Sequence, residues 1–164
     1  MKNYILIIIF FISCKILTSQ DNADSYLTRP LDGLYLNLLG DASIVSMHYE
    51  KLFPINRNLF ITSKLGLGYS SELLAFGPFP ESYITVPFHI TTIVGRNRSF
   101  VEIGIGATLS LGTPNSSVIY PVFGYRLQPL IVRKTSFRII AQYPIVSNDI
   151  PFFSPIGFNL GVSF

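Results

Sequence analysis

Ile156-Gly157-Phe158-Asn159-Leu160-Gly161-Val162-Ser163-Phe164 alternates without a fault. Ile156, Phe158, Leu160, Val162 and Phe164 are apolar, and the residues between them, Gly157, Asn159, Gly161 and Ser163, are small or polar. Successive side chains of an extended strand point to opposite sides, so a period of two gives one strand an apolar face and a small, polar face. An alternating edge that ends on a bare aromatic is an aggregation hazard in water unless that face is covered. The fold therefore turns on where the two faces look.

Seven more segments share the period: Gly33–Leu39, Ser43–Leu52, Leu59–Tyr69, Tyr83–Ile93, Ser99–Leu111, Tyr120–Gln128 and Ser136–Tyr143. The fifth strand in chain order is the clearest. It sets Val101, Ile103, Ile105, Ala107 and Leu109 against Glu102, Gly104, Gly106, Thr108 and Ser110. Most of the eight are near the ~9–11 residues that cross a bilayer as a tilted strand. The connections alternate in character. Phe53–Asn58, Gly95–Arg98 and Pro129–Thr135 carry Arg57, Arg96, Arg98, Arg133 and Lys134 and no acid. On the opposite side, Gly40–Ala42, Ser70–Glu81, Gly112–Ile119 and Pro144–Pro155 carry Asp41, Glu72, Glu81 and Asp149 and no Lys or Arg. Short turns at one end and longer loops at the other are the asymmetry of a membrane barrel, and only Gly40-Asp41-Ala42 is short among the outer loops.

Hydrophobic residues make up 49% of the chain and charged residues 13%, about half the charge an ordinary soluble domain carries. Beyond the N-terminus no apolar run approaches the ~20 residues of a helical span. Of the 12 Lys and Arg, Lys2 and Lys15 fall in the N-terminal segment, which leaves 10 bases against 9 acids and no charge basis for nucleic-acid binding.

Residues 1–19 read as a secretory signal peptide: Lys2, an apolar block from Tyr4 to Ile12, then a short polar stretch with cleavage after Ser19. Cys14, the single cysteine, is expected to leave with it; its alternative is a lipid-acceptor site, which Phe11 and Lys15 disfavour. Residues 20–32 form a polar lead containing Pro30, and 33–164 form the barrel domain.

Alternation alone also fits a soluble ligand-binding barrel with its apolar face turned inward. The small, weakly charged polar face argues for the reverse, since it suits a narrow lumen better than a water-facing surface. Aromatics placed toward strand ends (Tyr49, Tyr69, Phe123, Tyr125, Tyr143, Phe164) argue the same way. The expected fold is an all-β, eight-stranded antiparallel up-and-down transmembrane β-barrel. The ending Phe158, Leu160, Val162, Phe164 resembles the C-terminal insertion signal of outer-membrane barrels. The whole of 33–164, with Leu34-Tyr35-Leu36-Asn37-Leu38-Leu39-Gly40 and Met47-His48-Tyr49-Glu50-Lys51, resembles small eight-stranded outer-membrane proteins of Gram-negative bacteria. The resemblance implies export, insertion by the barrel-assembly machinery and outer-membrane lipids as partners; it implies no particular activity.

On the polar face lie Glu50, Lys64, Glu102, Arg126 and Arg138. Buried charges need partners, so Glu50 and Glu102 are expected to accept from Arg126, Arg138 and Lys64 in a lumen ionic network. Such a network fills the barrel; its rival use is a narrow small-solute channel. His48 and His89 share that face. A metal site would want a third ligand, for which Glu50 stands nearest His48 in sequence, but hydrogen-bonded lumen histidines are the simpler reading and no metal or cofactor is expected. Ser46 and Ser110 lack an evident base–acid relay, so a lipid-modifying enzyme is a distant alternative. The outer acids could bridge divalent cations to lipid phosphates, or simply be solvated.

Overall fold

The computed structural model describes residues 30–71, 82–111, 116–128, 134–148 and 153–164. Residues 1–19, expected as a signal peptide, with Cys14, residues 20–29, and residues 72–81, 112–115, 129–133 and 149–152 of the expected connections lie outside the described residues.

Every described element is a strand: β1 (Asp32–Leu38), β2 (Val45–Asn56), β3 (Leu59–Ser71), β4 (Ser82–Arg96), β5 (Ser99–Leu111), β6 (Ser117–Leu127), β7 (Lys134–Gln142), β8 (Val146–Asn148) and β9 (Ile156–Ser163). Each pairs antiparallel with its neighbours, and β9 pairs with both β7 and β1, which closes the sheet. β7 and β8 both lie against β6 and are two parts of one stave. The result is a closed eight-stranded antiparallel barrel.

The alternation does not reveal the interruption of that stave, because 144–155 reads as one loop. Pro121 on β6 and Pro144, just past the end of β7, each lack the N–H that a ladder needs. Pairing stops at Val122↔Gln142 and resumes at Ile119↔Val146. Strands also run further than the alternation indicates at the tight-turn end: β2 reaches Asn56 and β4 reaches Arg96, turning at Arg57-Asn58 and Asn97-Arg98.

The barrel is apolar outside and polar within. On β5, Val101, Ile103, Ile105 and Leu109 are exposed, while Glu102, Gly106, Thr108 and Ser110 are buried. The same alternation holds on β9, where Phe158, Leu160 and Val162 face out and Gly157, Asn159, Gly161 and Ser163 face in. The orientation that a soluble ligand-binding barrel would need is thus reversed. Tyr49, Tyr69, Phe123, Tyr125, Tyr143 and Phe164 all lie on the outside.

The lumen is packed in layers. At the tight-turn end Leu52, Phe60, Ile93 and Phe100 form an apolar floor against which Leu31 packs, with Phe60 and Phe100 edge-to-face at 5.9 Å. Pro30 and Leu31 lead into β1 at this end. Leu52 N donates to the Leu31 carbonyl on one wall, and Gln128 Nε2 donates to the Pro30 carbonyl on the other. Gln128, just past the end of β6, stands across the barrel from β2, so its long side chain ties the segment leading into β1 to the opposite wall.

Candidate functional site

Above the floor sits a strand-borne ionic cluster. Glu50 on β2 bridges two guanidiniums, accepting from Arg126 Nη2 on β6 and Arg138 Nη2 on β7. Glu102 on β5 lies 3.1 Å from Arg138 Nε and 3.9 Å from Arg126 Nη1, and accepts from Thr91 Oγ1 at 2.7 Å. Tyr35 lies between the two arginines: Arg126 Nη2 donates to its hydroxyl at 3.1 Å, and the Arg138 guanidinium sits 5.2 Å from its ring centre. All four charged groups are buried. The sequence brings them together because each stands on the inward parity of its own strand and the pairing register aligns them, Arg126 opposite Arg138 and Glu50 opposite Lys64. Lys64 is buried too, yet its ammonium has no hydrogen-bond partner among the described residues.

Toward the other end lies a cluster that no strand pattern announces. The connection between β1 and β2 folds inward as a tongue. Asp41 on this tongue is fully buried, not a solvated outer-loop acid and not placed to bridge cations to lipid phosphates. Its carboxylate meets His48 Nε2 at 2.8 Å and His89 Nε2 at 2.8 Å and accepts from Asn37 Nδ2. Both imidazoles present Nε2 to the carboxylate at contact distance, while Asp41 Oδ1 accepts no hydrogen bond among the described residues. The backbone is held as well. Thr108 Oγ1 on β5, on the far wall from β1, donates to the Asp41 carbonyl at 2.8 Å, and Asp41 N donates to Gln142 Oε1 at 3.3 Å. Ser43 Oγ caps the turn at 3.2 Å from the same carbonyl and lies 2.6 Å from Thr85 Oγ1.

The tongue is a strained turn. Leu39, Asp41 and Ala42 have φ of 59°, 61° and 54°, left-handed values that cost a non-glycine residue about 1 kcal/mol or more each. The packed lumen compensates: Ala42 joins Val118, Tyr120, Val122 and Ile140 in an apolar cluster against which Phe153 packs. The histidines find room because each stands opposite a glycine. A Cβ on Gly66 would lie 2.4 Å from His48 Nδ1, and one on Gly106 would lie 2.4 Å from Tyr120 Cε2 and 2.9 Å from His89 Cδ2.

Charge explains why the tongue enters. The buried charged side chains among the described residues, histidines aside, are Asp41, Glu50 and Glu102 against Lys64, Arg126 and Arg138. Without Asp41 the lumen keeps one excess cation. Burial opposes ionisation of Asp41, but His89, Lys64 and His48 outweigh that penalty and hold its carboxyl well below the usual carboxylate range.

Several chemistries can be judged from these contacts. Ser46 Oγ, His48 and Asp41 are within reach of one another, but both Ser46 Oγ (2.7 Å) and the Asp41 carboxylate (2.8 Å) contact the same ring nitrogen, Nε2. A nucleophile relay needs one partner on each nitrogen, and His48 Nδ1 has no hydrogen-bond partner. His89 Nε2 is likewise shared between Asp41 and the Tyr120 hydroxyl, at 2.9 Å from the latter. Glu50 is committed to the arginines, so the acid beside the histidines is Asp41. Among the described residues no His, Cys, Asp or Glu group is spaced to hold a metal ion. Comparison with protein-family models, curated proteins and solved structures gave no match.

Asp41 had one sequence signal. The five polar-face charges Glu50, Lys64, Glu102, Arg126 and Arg138 leave one base unmatched, and the one short outer connection, Gly40-Asp41-Ala42, carries the missing acid.

Proposed function

We propose that this chain is an integral outer-membrane β-barrel with a structural or envelope-interaction role and a closed, side-chain-filled lumen. The supporting observation is the outer surface: Leu67 on β3, Val101, Ile105 and Leu109 on β5 and Leu160 on β9 are each more than half exposed, and the outward residues of the staves between them, such as Ile84 and Phe123, are exposed too. A contiguous apolar wall of this extent is costly in water and is matched by hydrocarbon. The exposed tyrosines and phenylalanines suit the two interfaces. The exposed Arg57, Arg96 and Arg98 at the tight turns suit an aqueous, phosphate-rich border.

The filled lumen favours closure over conduction. A solute would have to pass the Leu52, Phe60, Ile93 and Phe100 floor after crossing the ionic layer. Refolding into lipid vesicles tests the reading. A folded barrel should migrate differently on gels before and after boiling, and Ile105→Arg in the middle of the belt should cost about 2–4 kcal/mol of folding free energy in the bilayer. A chain that stays soluble without vesicles and tolerates Ile105→Arg would defeat it. Planar-bilayer recordings should show no steady conductance from the wild type.

A further inference from the structure

We propose that the outer half of the lumen is a binding pocket for a small carboxylate-bearing solute, and that Asp41 occupies it here as a built-in ligand. The pocket's polar groups come from the barrel wall: Asn37 Nδ2 on β1 donates to the carboxylate, and His48 Nε2 on β2 and His89 Nε2 on β4 lie 2.8 Å from its oxygens. Lys64 on β3 stands in the same wall between β2 and β4, buried, with its ammonium unpartnered. One amide donor and two imidazole nitrogens closing on one acceptor, with a buried cation in the same wall, make a carboxylate site whichever chain the carboxylate belongs to. The acceptor that fills it comes from a connection, not a strand, on a turn with three left-handed non-glycine residues. It is therefore the one component that can be withdrawn without breaking the sheet.

The pocket is blind. Below it lie the paired guanidiniums and the apolar floor, so a ligand displacing Asp41 enters and leaves by the tongue end. This rests on the barrel reading above only for which end faces outward.

The test uses the full chain refolded in detergent micelles with ring-labelled histidine, titrated with sodium acetate against sodium chloride at equal ionic strength. Asp41→Gly deletes the carboxylate while permitting the left-handed backbone. The expected result is a saturable acetate-specific shift of the His48 and His89 ring signals in Asp41→Gly, weakened about tenfold when Lys64→Met is added. The wild type should not respond over the same range, because a tethered carboxylate outcompetes a free one. A heat-modifiable, folded Asp41→Gly that responds alike to acetate and chloride overturns the proposal, as does a wild type that responds as strongly as the variant. If Asp41→Gly folds poorly, refolding yield answers the same question: acetate raises it above chloride if the pocket is real and leaves it unchanged if not. Vesicle insertion is scored separately, so loss of the membrane reading and loss of the pocket are distinguishable.

Discussion

Two charged clusters share this lumen and are built in opposite ways. Glu50, Glu102, Arg126 and Arg138 stand on four strands whose ladders fix them. Asp41, His48 and His89 meet because a turn reaches in from the rim. In the first cluster the register of the sheet does the positioning. In the second a turn brings the acid that balances the cation the first leaves over, although no acid contacts the Lys64 ammonium directly. Disturbing the strand cluster should therefore damage the barrel, whereas disturbing the tongue should chiefly release the tongue.

The largest effect should follow from Glu50→Ala. It leaves two buried guanidiniums facing one carboxylate, and removing one partner of a buried ion pair typically costs about 3–5 kcal/mol. Urea titration in vesicles, read by gel mobility without boiling, should show the loss. Adding Arg138→Met should recover much of it, because the second change removes the charge the first left unpaired. A double variant no more stable than Glu50→Ala would mean that the cluster acts by packing and not by charge.

Asp41→Asn should cost less, about 2 kcal/mol, the scale of hydrogen bonds to a charged group. The amide keeps the shape but leaves Lys64 unbalanced. It should also respond differently to a second change: Lys64→Met should offset Asp41→Asn and should not offset Glu50→Ala. If Lys64→Met rescued both equally, the two clusters would be one network, and the contrast between them would fail.

Legibility divides along the same line. The staves could be read because a half-buried strand repeats every second residue, and Glu102, Arg126 and Arg138 fall on the inward face by parity alone. The pattern carries a second ambiguity, which face is inward, and composition resolves it because the polar face is mainly Gly, Ser and Thr. A turn has no such period. Leu39 and Ala42 are not residues that announce a left-handed backbone, so nothing local marks the tongue as folded inward. The break between β7 and β8 is obscure for a similar reason. It falls where Pro144 follows β7 and the register against β6 slips by one residue, from Val122↔Gln142 to Ile119↔Val146, and that slip exists only once the pairing is known.

A smaller effect should appear with pH. The Asp41 carboxyl is held well below its usual range in the folded chain, so its contribution is fully present above the unfolded value near ~3.9. That contribution disappears as pH falls below that value toward the lower folded one. Subtracting the stability of Asp41→Asn from that of the wild type, pH by pH, should give a difference that is flat from pH 7 to about 5 and shrinks in more acidic buffer. A difference that grew on acidification would reverse the sign and remove the argument that His48, His89 and Lys64 stabilise the ionised form.

The smallest effect, and the sharpest on the tongue itself, is Thr108→Val. It deletes the one hydrogen bond by which β5 holds the Asp41 carbonyl at 2.8 Å, and it also removes the contact to the Tyr120 hydroxyl at 2.9 Å. A neutral hydrogen bond contributes about 1 kcal/mol, so the urea midpoint should move only slightly. Local opening should move more. The amides of Leu39 and Ser43, which donate to the Ile44 and Gly40 carbonyls, should exchange several-fold faster, while amides of β5 and β9 hold their protection. Faster exchange confined to the tongue would show that the turn opens on its own, without the staves. Uniformly faster exchange would tie the tongue to global unfolding and make it part of the wall's stability instead of a separable stopper.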